Sequence, residues 1–351
     1  MPTPHQAGLS RRGLLTAGAL AGLAVALPTS AAHATMIGPS GSMLSASKMP
    51  NVVFWGSSSA AGGSPHQFPA GYQRTSLHDK LSELLGVGVD NAAIGGDASY
   101  HTVSIRSTKS PYKPNFYYAG QGGYLPSQGR IIVKTIDGRV PNFRAMAHRL
   151  PNWGPGTPGT VAGVPCTIRA VEGRNRKIVI ERQNVGSEIK VGAGGGSIWK
   201  TALESIHEGK AHLIWTGKNN IGSYSTVIAD TRTCFNVAPE SSIVMGHWYS
   251  YGDRIGMSRR AAVDRVNASY KAEYGSRYYD AMADLIDPEL WSVPELAPFK
   301  IGYTAADKEW LAMGLPPRSI VGTDNMHLNA LGNTVMAHGI HRFLTGSAGL
   351  Y

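Results

Sequence analysis

Asn51-Val52-Val53-Phe54-Trp55 is a short unbroken apolar run stopped by Gly56. A run without polar alternation is how a strand buried on both faces of a parallel sheet reads. It constrains the fold more than any other stretch, because such a strand must be covered by helices above and below. Leu77, Leu81, Leu84 and Leu85 follow at helical spacing, and residues 87–89 predict a second strand. Further along, the pattern predicts helices over 198–207, 259–274 and 329–344, and strands over 211–216, 242–245 and 279–285. Alternating strands and helices argue for an α/β domain with a parallel sheet at its centre.

The alternation is interrupted between residues 113 and 196. Ile131-Ile132-Val133, Cys166-Thr167-Ile168, Lys177-Ile178-Val179-Ile180-Glu181 and Glu188-Ile189-Lys190-Val191 are β-prone runs, separated by turns such as Asp137-Gly138 and Glu172-Gly173. The stretch reads as an antiparallel β-rich unit, 113–196, inserted into an α/β domain made of 35–112 and 197–351. Gly192 to Gly196 would be its flexible exit. Its aromatics, Tyr117, Tyr118, Tyr124 and Trp153, suit either stacking on sugar rings or packing within the unit.

Ahead of the domain, Ser10-Arg11-Arg12-Gly13-Leu14-Leu15 precedes an apolar, charge-free run to Leu27, and Ala32-His33-Ala34 has a small-x-small cleavage pattern. Residues 1–34 resemble a twin-arginine export signal, so the expectation is an exported chain starting near Thr35. The apolar run is shorter than the roughly 20 residues that span a bilayer, which argues against a stable membrane anchor once the signal is removed. Loss of Arg11 and Arg12 takes the formal charge from +10 to +8. That charge is dispersed, with no run of five or six like residues, so nucleic-acid binding is not expected, whereas an acidic polysaccharide or anionic cell surface is compatible. Cys166 and Cys234 lack metal-ligand spacing, and either one disulfide or two free thiols suits an exported chain.

Chemistry enters at the predicted strand ends. Gly56-Ser57-Ser58-Ser59-Ala60-Ala61-Gly62 follows the first strand, Asn91-Ala92-Ala93-Ile94-Gly95-Gly96-Asp97 the second, and Thr216-Gly217-Lys218-Asn219-Asn220 the third. The carboxyl ends of parallel strands are where an α/β sheet presents ligand-binding groups. A serine hydroxyl, a glycine N–H and an asparagine amide arriving there are what a tetrahedral intermediate requires, since its carbonyl oxygen becomes an oxyanion. Near the C-terminus, Asp324-Asn325-Met326-His327 sets a carboxylate three residues before an imidazole, ahead of the closing helix. An aspartate so placed can hold the ring in one tautomer while the other nitrogen accepts a proton from a nucleophile. His247, after the strand ending at Met245, would also lie at this edge with Trp248, as a lining of the substrate pocket or as a packed histidine. His78 and His101 carry no functional expectation.

With these blocks in order, the chain resembles the SGNH, or GDSL-type, serine hydrolases. Gly56, Ser58 and Gly62 match G-D-S-x-x-x-G; Gly96, with Gly95 as the fallback, matches the glycine block; Gly217-x-Asn219 matches G-x-N-D; Asp324-x-x-His327 followed by Leu328-Asn329-x-x-Gly332 matches the last block. The resemblance implies a three-layer, flavodoxin-like α/β fold with a central parallel sheet, and leaves the β-rich insertion unmatched. It implies Ser58 as nucleophile with Asp324 and His327 as its partners, and an oxyanion hole made by Ser58, Gly96 and Asn219. No cofactor and no metal are implied. Two family aspartates are replaced, by Ser57 and Asn220, which puts the bracing of the site loops in question. The activity so implied is hydrolysis of a carboxylic ester; the export signal, the β-rich insertion and its aromatic residues favour an O-acetyl or other short acyl group on a polysaccharide. A lipid ester is the alternative substrate, and a non-catalytic carbohydrate-binding surface protein is the alternative class.

Overall fold

In the computed structural model, the described residues are 50–107, 117–118, 124–134, 157–171, 177–190 and 199–348. The segment 1–34 expected to be an export signal, Trp153 and the glycine run 192–196 lie outside them. The strands are β1 (Val52–Gly56), β2 (Val89–Asn91), β3 (Tyr117–Tyr118), β4 (Tyr124–Leu125), β5 (Arg130–Lys134), β6 (Thr157–Val161), β7 (Val164–Val171), β8 (Lys177–Arg182), β9 (Ile189–Lys190), β10 (Trp199–Thr201), β11 (Ala211–Trp215), β12 (Ser242–Met245) and β13 (Tyr278–Tyr279).

Five of them form the central sheet in the order β13-β12-β11-β1-β2, and every pairing is parallel. Numbered within that sheet alone, the order is 2-1-3-4-5, the doubly wound arrangement of flavodoxin-like folds. Its direction of winding reverses between β1 and β11, the place where such sheets open a crevice at their carboxyl ends.

The continuous apolar run of β1 is explained by its two covered faces. Val52 and Phe54 pack with Leu77 and Leu81 of the helix Leu77–Leu85 and with Val335 and Ile340 of the closing helix Ala330–Thr345. Val53 and Trp55 point the other way, toward Ile105 of the helix Ser99–Arg106. On that second face β12 contributes Val244, packed against Val263 and Val266 of the helix Ser258–Tyr274. The three-layer architecture expected from the sequence is therefore present.

The antiparallel strands form a separate six-stranded sheet, β10-β6-β7-β8-β5-β3, and a two-stranded pair, β4-β9. Its edge strand Trp199–Thr201 pairs with Thr157–Val161 and lies within the stretch where a single helix over 198–207 was expected. The helix begins only at Ala202, because the Thr201 side chain caps it, accepting from the Glu204 N–H while Glu204 reaches back to the Thr201 N–H. The strand expected over 279–285 is likewise cut short. Tyr278–Tyr279 is the strand, and Asp280 then caps the helix Ala281–Leu285. Cys166 and Cys234 are both buried free thiols, in β7 and in the helix Tyr224–Phe235, and burial raises them to about 11 and about 12. Among the described residues no helix is long and apolar enough to cross a membrane.

Candidate active site

Ser58 sits on a turn that leaves β1 at its carboxyl end. Gly56 must be glycine there: its φ is +149°, and a Cβ would overlap the carbonyl of Trp215 on β11. The turn is closed by overlapping bonds, from Ala61 N to Ser57 O at 2.9 Å and from Gly63 N to Ser58 O at 2.9 Å. From beneath, the ring of His78 contacts the carbonyl of Ala60 through Nε2 at 2.9 Å and meets Phe54 edge-on. Burial lowers the His78 pKa, and its ring nitrogen, facing a carbonyl that can only accept, donates to the turn. Ser57 is buried and Ser58 is half-buried.

The loop bearing Asp324 and His327 is tied to that turn. Ser64 N donates to Leu328 O at 2.9 Å, Asn333 Nδ2 to Gly62 O at 2.8 Å, and Thr323 N to Gln67 Oε1 at 2.7 Å. Gly63, with φ +59°, lies so close that a Cβ on it would come 2.8 Å from Leu328 O and 3.4 Å from the His327 Cβ. Within the loop, Asn325 takes the left-handed conformation at φ +60°, which asparagine tolerates. Asp324 Oδ1 then accepts the N–H groups of Met326 at 2.9 Å and His327 at 3.0 Å, and Oδ2 meets His327 Nδ1 at 2.6 Å. Burial tends to raise the Asp324 carboxyl, but the His327 ring and these two N–H groups outweigh it and hold it below its ordinary value. A carboxylate facing Nδ1 fixes the proton on that nitrogen and leaves Nε2 as the free acceptor.

One further loop borders Ser58, and a second is tied to that loop. In the loop after β2, Ile94 N donates to Gly56 O at 3.1 Å, and Gly95 faces the serine, since a Cβ on Gly95 would lie 3.9 Å from the Ser58 Cβ. Gly96 follows in a left-handed conformation at φ +83°. Asn219, in the short helix Lys218–Ser223 after β11, donates one amide hydrogen to Asp97 O at 2.8 Å. The second hydrogen of that amide remains. Asn220, standing where an aspartate was expected, accepts from Ser99 N at 3.0 Å and donates from Nδ2 to Ser99 Oγ at 3.0 Å; Ser99 Oγ in turn donates to Asp230 at 2.6 Å. The asparagine thus braces the two loops with neutral hydrogen bonds. His101 is a local cap, accepting from Ala98 N at 2.9 Å.

His247 and Trp248 are 2% exposed and form no open pocket wall. Trp248 belongs to the main core, and the His247 backbone is clasped by Asn267 through two 2.8 Å bonds. Burial, with the charge of Lys218 beside it, pushes the His247 ring down to about 3. Beneath Asn219, Lys218 Nζ donates to Asp253 Oδ2 at 2.6 Å and to Trp248 O at 2.7 Å, while Arg259 contacts Asp253 Oδ1 at 3.1 Å. Burial lowers Lys218 to about 8 against the pull of Asp253. None of Lys218, Asp253 and Arg259 was singled out from the sequence, since their pairing joins three separate segments. Among the described residues, no group of three or more histidine, cysteine or acidic side chains is arranged to hold a metal ion.

No family model matches the chain, and no curated protein matches it. Among solved structures it is similar to a lipase/acylhydrolase from Enterococcus faecalis, at 12% identity over 85% of this chain and 96% of that one, with a TM-score of 0.38. A likeness that distant bears on neither family nor activity.

Proposed function

We propose that the protein is a serine esterase of the SGNH type, hydrolysing carboxylic esters through Ser58, His327 and Asp324. The observation that carries this reading is the Asp324–His327 pair, joined by a 2.6 Å contact and tied by backbone bonds to the turn that presents Ser58. In the first step His327 Nε2 takes the proton of Ser58 Oγ as the oxygen bonds to the ester carbonyl, and the imidazolium is stabilised by Asp324. Collapse of the tetrahedral species breaks the carbonyl–alkoxy bond, and His327 returns the proton to the departing alcohol. Water, deprotonated by the same ring, then releases the acid from Ser58.

The oxyanion would be met by the N–H of Ser58, by the N–H of Gly96 and by the Asn219 amide hydrogen not engaged by Asp97. Gly95, which faces the Ser58 side chain, is the alternative second donor. No step requires a cofactor. The leading segment and the site together suit an exported enzyme acting on short acyl esters, O-acetyl groups on a polysaccharide first among them.

Labelling with a fluorophosphonate probe tests the reading. The full chain is expected to gain one adduct, located at Ser58 by peptide mass spectrometry, and Ser58→Ala to gain none. An unlabelled wild type, or a label on Ser57 or Ser59, would overturn the assignment.

A further inference from the structure

A groove of about 540 Å³ opens beside Asn219, between the short helix Lys218–Ser223 and the start of the helix Ser258–Tyr274. That volume falls within the roughly 300–1,000 Å³ of ligand clefts. Its polar lining is Lys218, Asn219, Tyr224, Ser258, Arg259 and Arg265, and no acidic residue lines it among the described residues. Asp253, fully buried beneath, offsets one of the three cations through its contacts with Lys218 and Arg259. Arg265 has no carboxylate partner among the described residues and lies over the ring of Tyr224, 4.3 Å from its centroid. The nearby Asp264 belongs to another face of its helix, where it accepts from Tyr249 at 2.6 Å and Arg260 at 3.1 Å.

A groove whose three cations outnumber the one buried carboxylate selects a ligand that is itself anionic, and a planar carboxylate matches the guanidinium fork of Arg265. Asn219 lines the groove and is also the candidate oxyanion donor, so the groove borders the loop that would meet the reacting ester. We propose that this groove is a subsite for a chain of acidic sugars, in which a uronate carboxylate is held by Arg265 and Arg259 while an acyl ester on a neighbouring unit meets Ser58. The proposal rests on the esterase reading and narrows its substrate class to esterified acidic polysaccharides. The exposed Tyr224 supplies an apolar flank for a sugar ring.

The test is calorimetric titration of the full chain with a de-esterified oligogalacturonate, beside a neutral oligosaccharide of equal length. The acidic oligomer is expected to bind at least about tenfold more tightly, and to weaken steeply when salt rises from about 50 to 500 mM. Arg265→Gln should weaken it about tenfold and Arg265→Lys by less, as loss of one charge-assisted contact implies. Unchanged thermal midpoints in both variants would exclude misfolding as the cause. Equal binding of the neutral oligomer, indifference to Arg265→Gln, or capture by phosphatidylglycerol vesicles without oligouronate binding would overturn the subsite. Labelling at Ser58 without oligouronate binding would remove the groove and leave the esterase, whereas binding without labelling would uphold the groove and overturn the esterase.

Discussion

Asp324 holds His327 twice, accepting its backbone N–H on one carboxylate oxygen at 3.0 Å and meeting its ring Nδ1 with the other at 2.6 Å. The first contact fixes where the histidine leaves the chain, and the second fixes which way its ring faces. Asp324→Asn keeps a backbone acceptor but loses the charge and the tautomer control. It is expected to fold normally, with a thermal midpoint within a few degrees of wild type, and to lose about ten-thousandfold in kcat on p-nitrophenyl butyrate. A kcat reduced less than tenfold would separate Asp324 from the chemistry.

Asn219 and Asn220 are neighbours with different tasks, and their alanine variants should differ accordingly. Asn219→Ala removes the candidate oxyanion donor and one bond to Asp97 O. Turnover should fall about a hundredfold or more, equivalent to roughly 3–4 kcal/mol of barrier, with KM little changed. Asn220→Ala breaks two bonds to Ser99, so it should cost about 1–3 kcal/mol of stability, read by urea unfolding, in addition to any loss of rate.

Arg106 is 1% exposed, and burial lowers its guanidinium to about 10. It donates to the Cys234 carbonyl at 2.9 Å and the Ser242 hydroxyl at 3.0 Å, contacts His212 Nδ1 at 2.8 Å and lies over the Trp55 ring. Arg106→Met would strand those acceptors inside the protein. A loss of about 2–4 kcal/mol in urea unfolding is expected, with any surviving folded fraction retaining the proposed esterase activity.

Acid should destabilise the protein well before its carboxylates titrate. His212 and His247 are both pushed down to about 3, by burial first and then by the charges of Arg106 and Lys218 respectively. Below the ordinary histidine value of about 6.5, the unfolded chain takes up protons that the folded chain refuses. Their contribution is complete above about pH 6.5 and is lost as pH falls toward about 3. Thermal midpoints measured from pH 8 to pH 4 should therefore decline, and His247→Gln should flatten part of the slope whatever its effect on the midpoint itself.

The legibility of this fold in the sequence followed burial. β1 was readable because both its faces are covered, and the closing helix because Asn329 marks its start, accepting from Gly332 N at 3.1 Å. The helices Ser99–Arg106 and Tyr224–Phe235 were not, because their buried positions include Ser99, His101, Thr102, Arg106, Asp230 and Thr231, whose polarity hides the apolar stripe. In the site, Ser58, Asp324 and His327 stood out by local spacing. What Asn220 does was invisible, since its partner Ser99 is 121 residues away, and the same distance problem concealed His78 beneath the serine turn and Lys218 above Asp253. His247 and Trp248 follow β12, and both are buried, as the packed-histidine reading of the sequence expects.

Hydrolysis of p-nitrophenyl acetate and butyrate by the protein from Thr35 onward, beside Ser58→Ala, tests the central claim most directly. Saturable hydrolysis by the wild type that falls at least about a thousandfold in Ser58→Ala is the predicted result. A folded wild type that hydrolyses neither ester, or a Ser58→Ala variant as active as its parent, would contradict it.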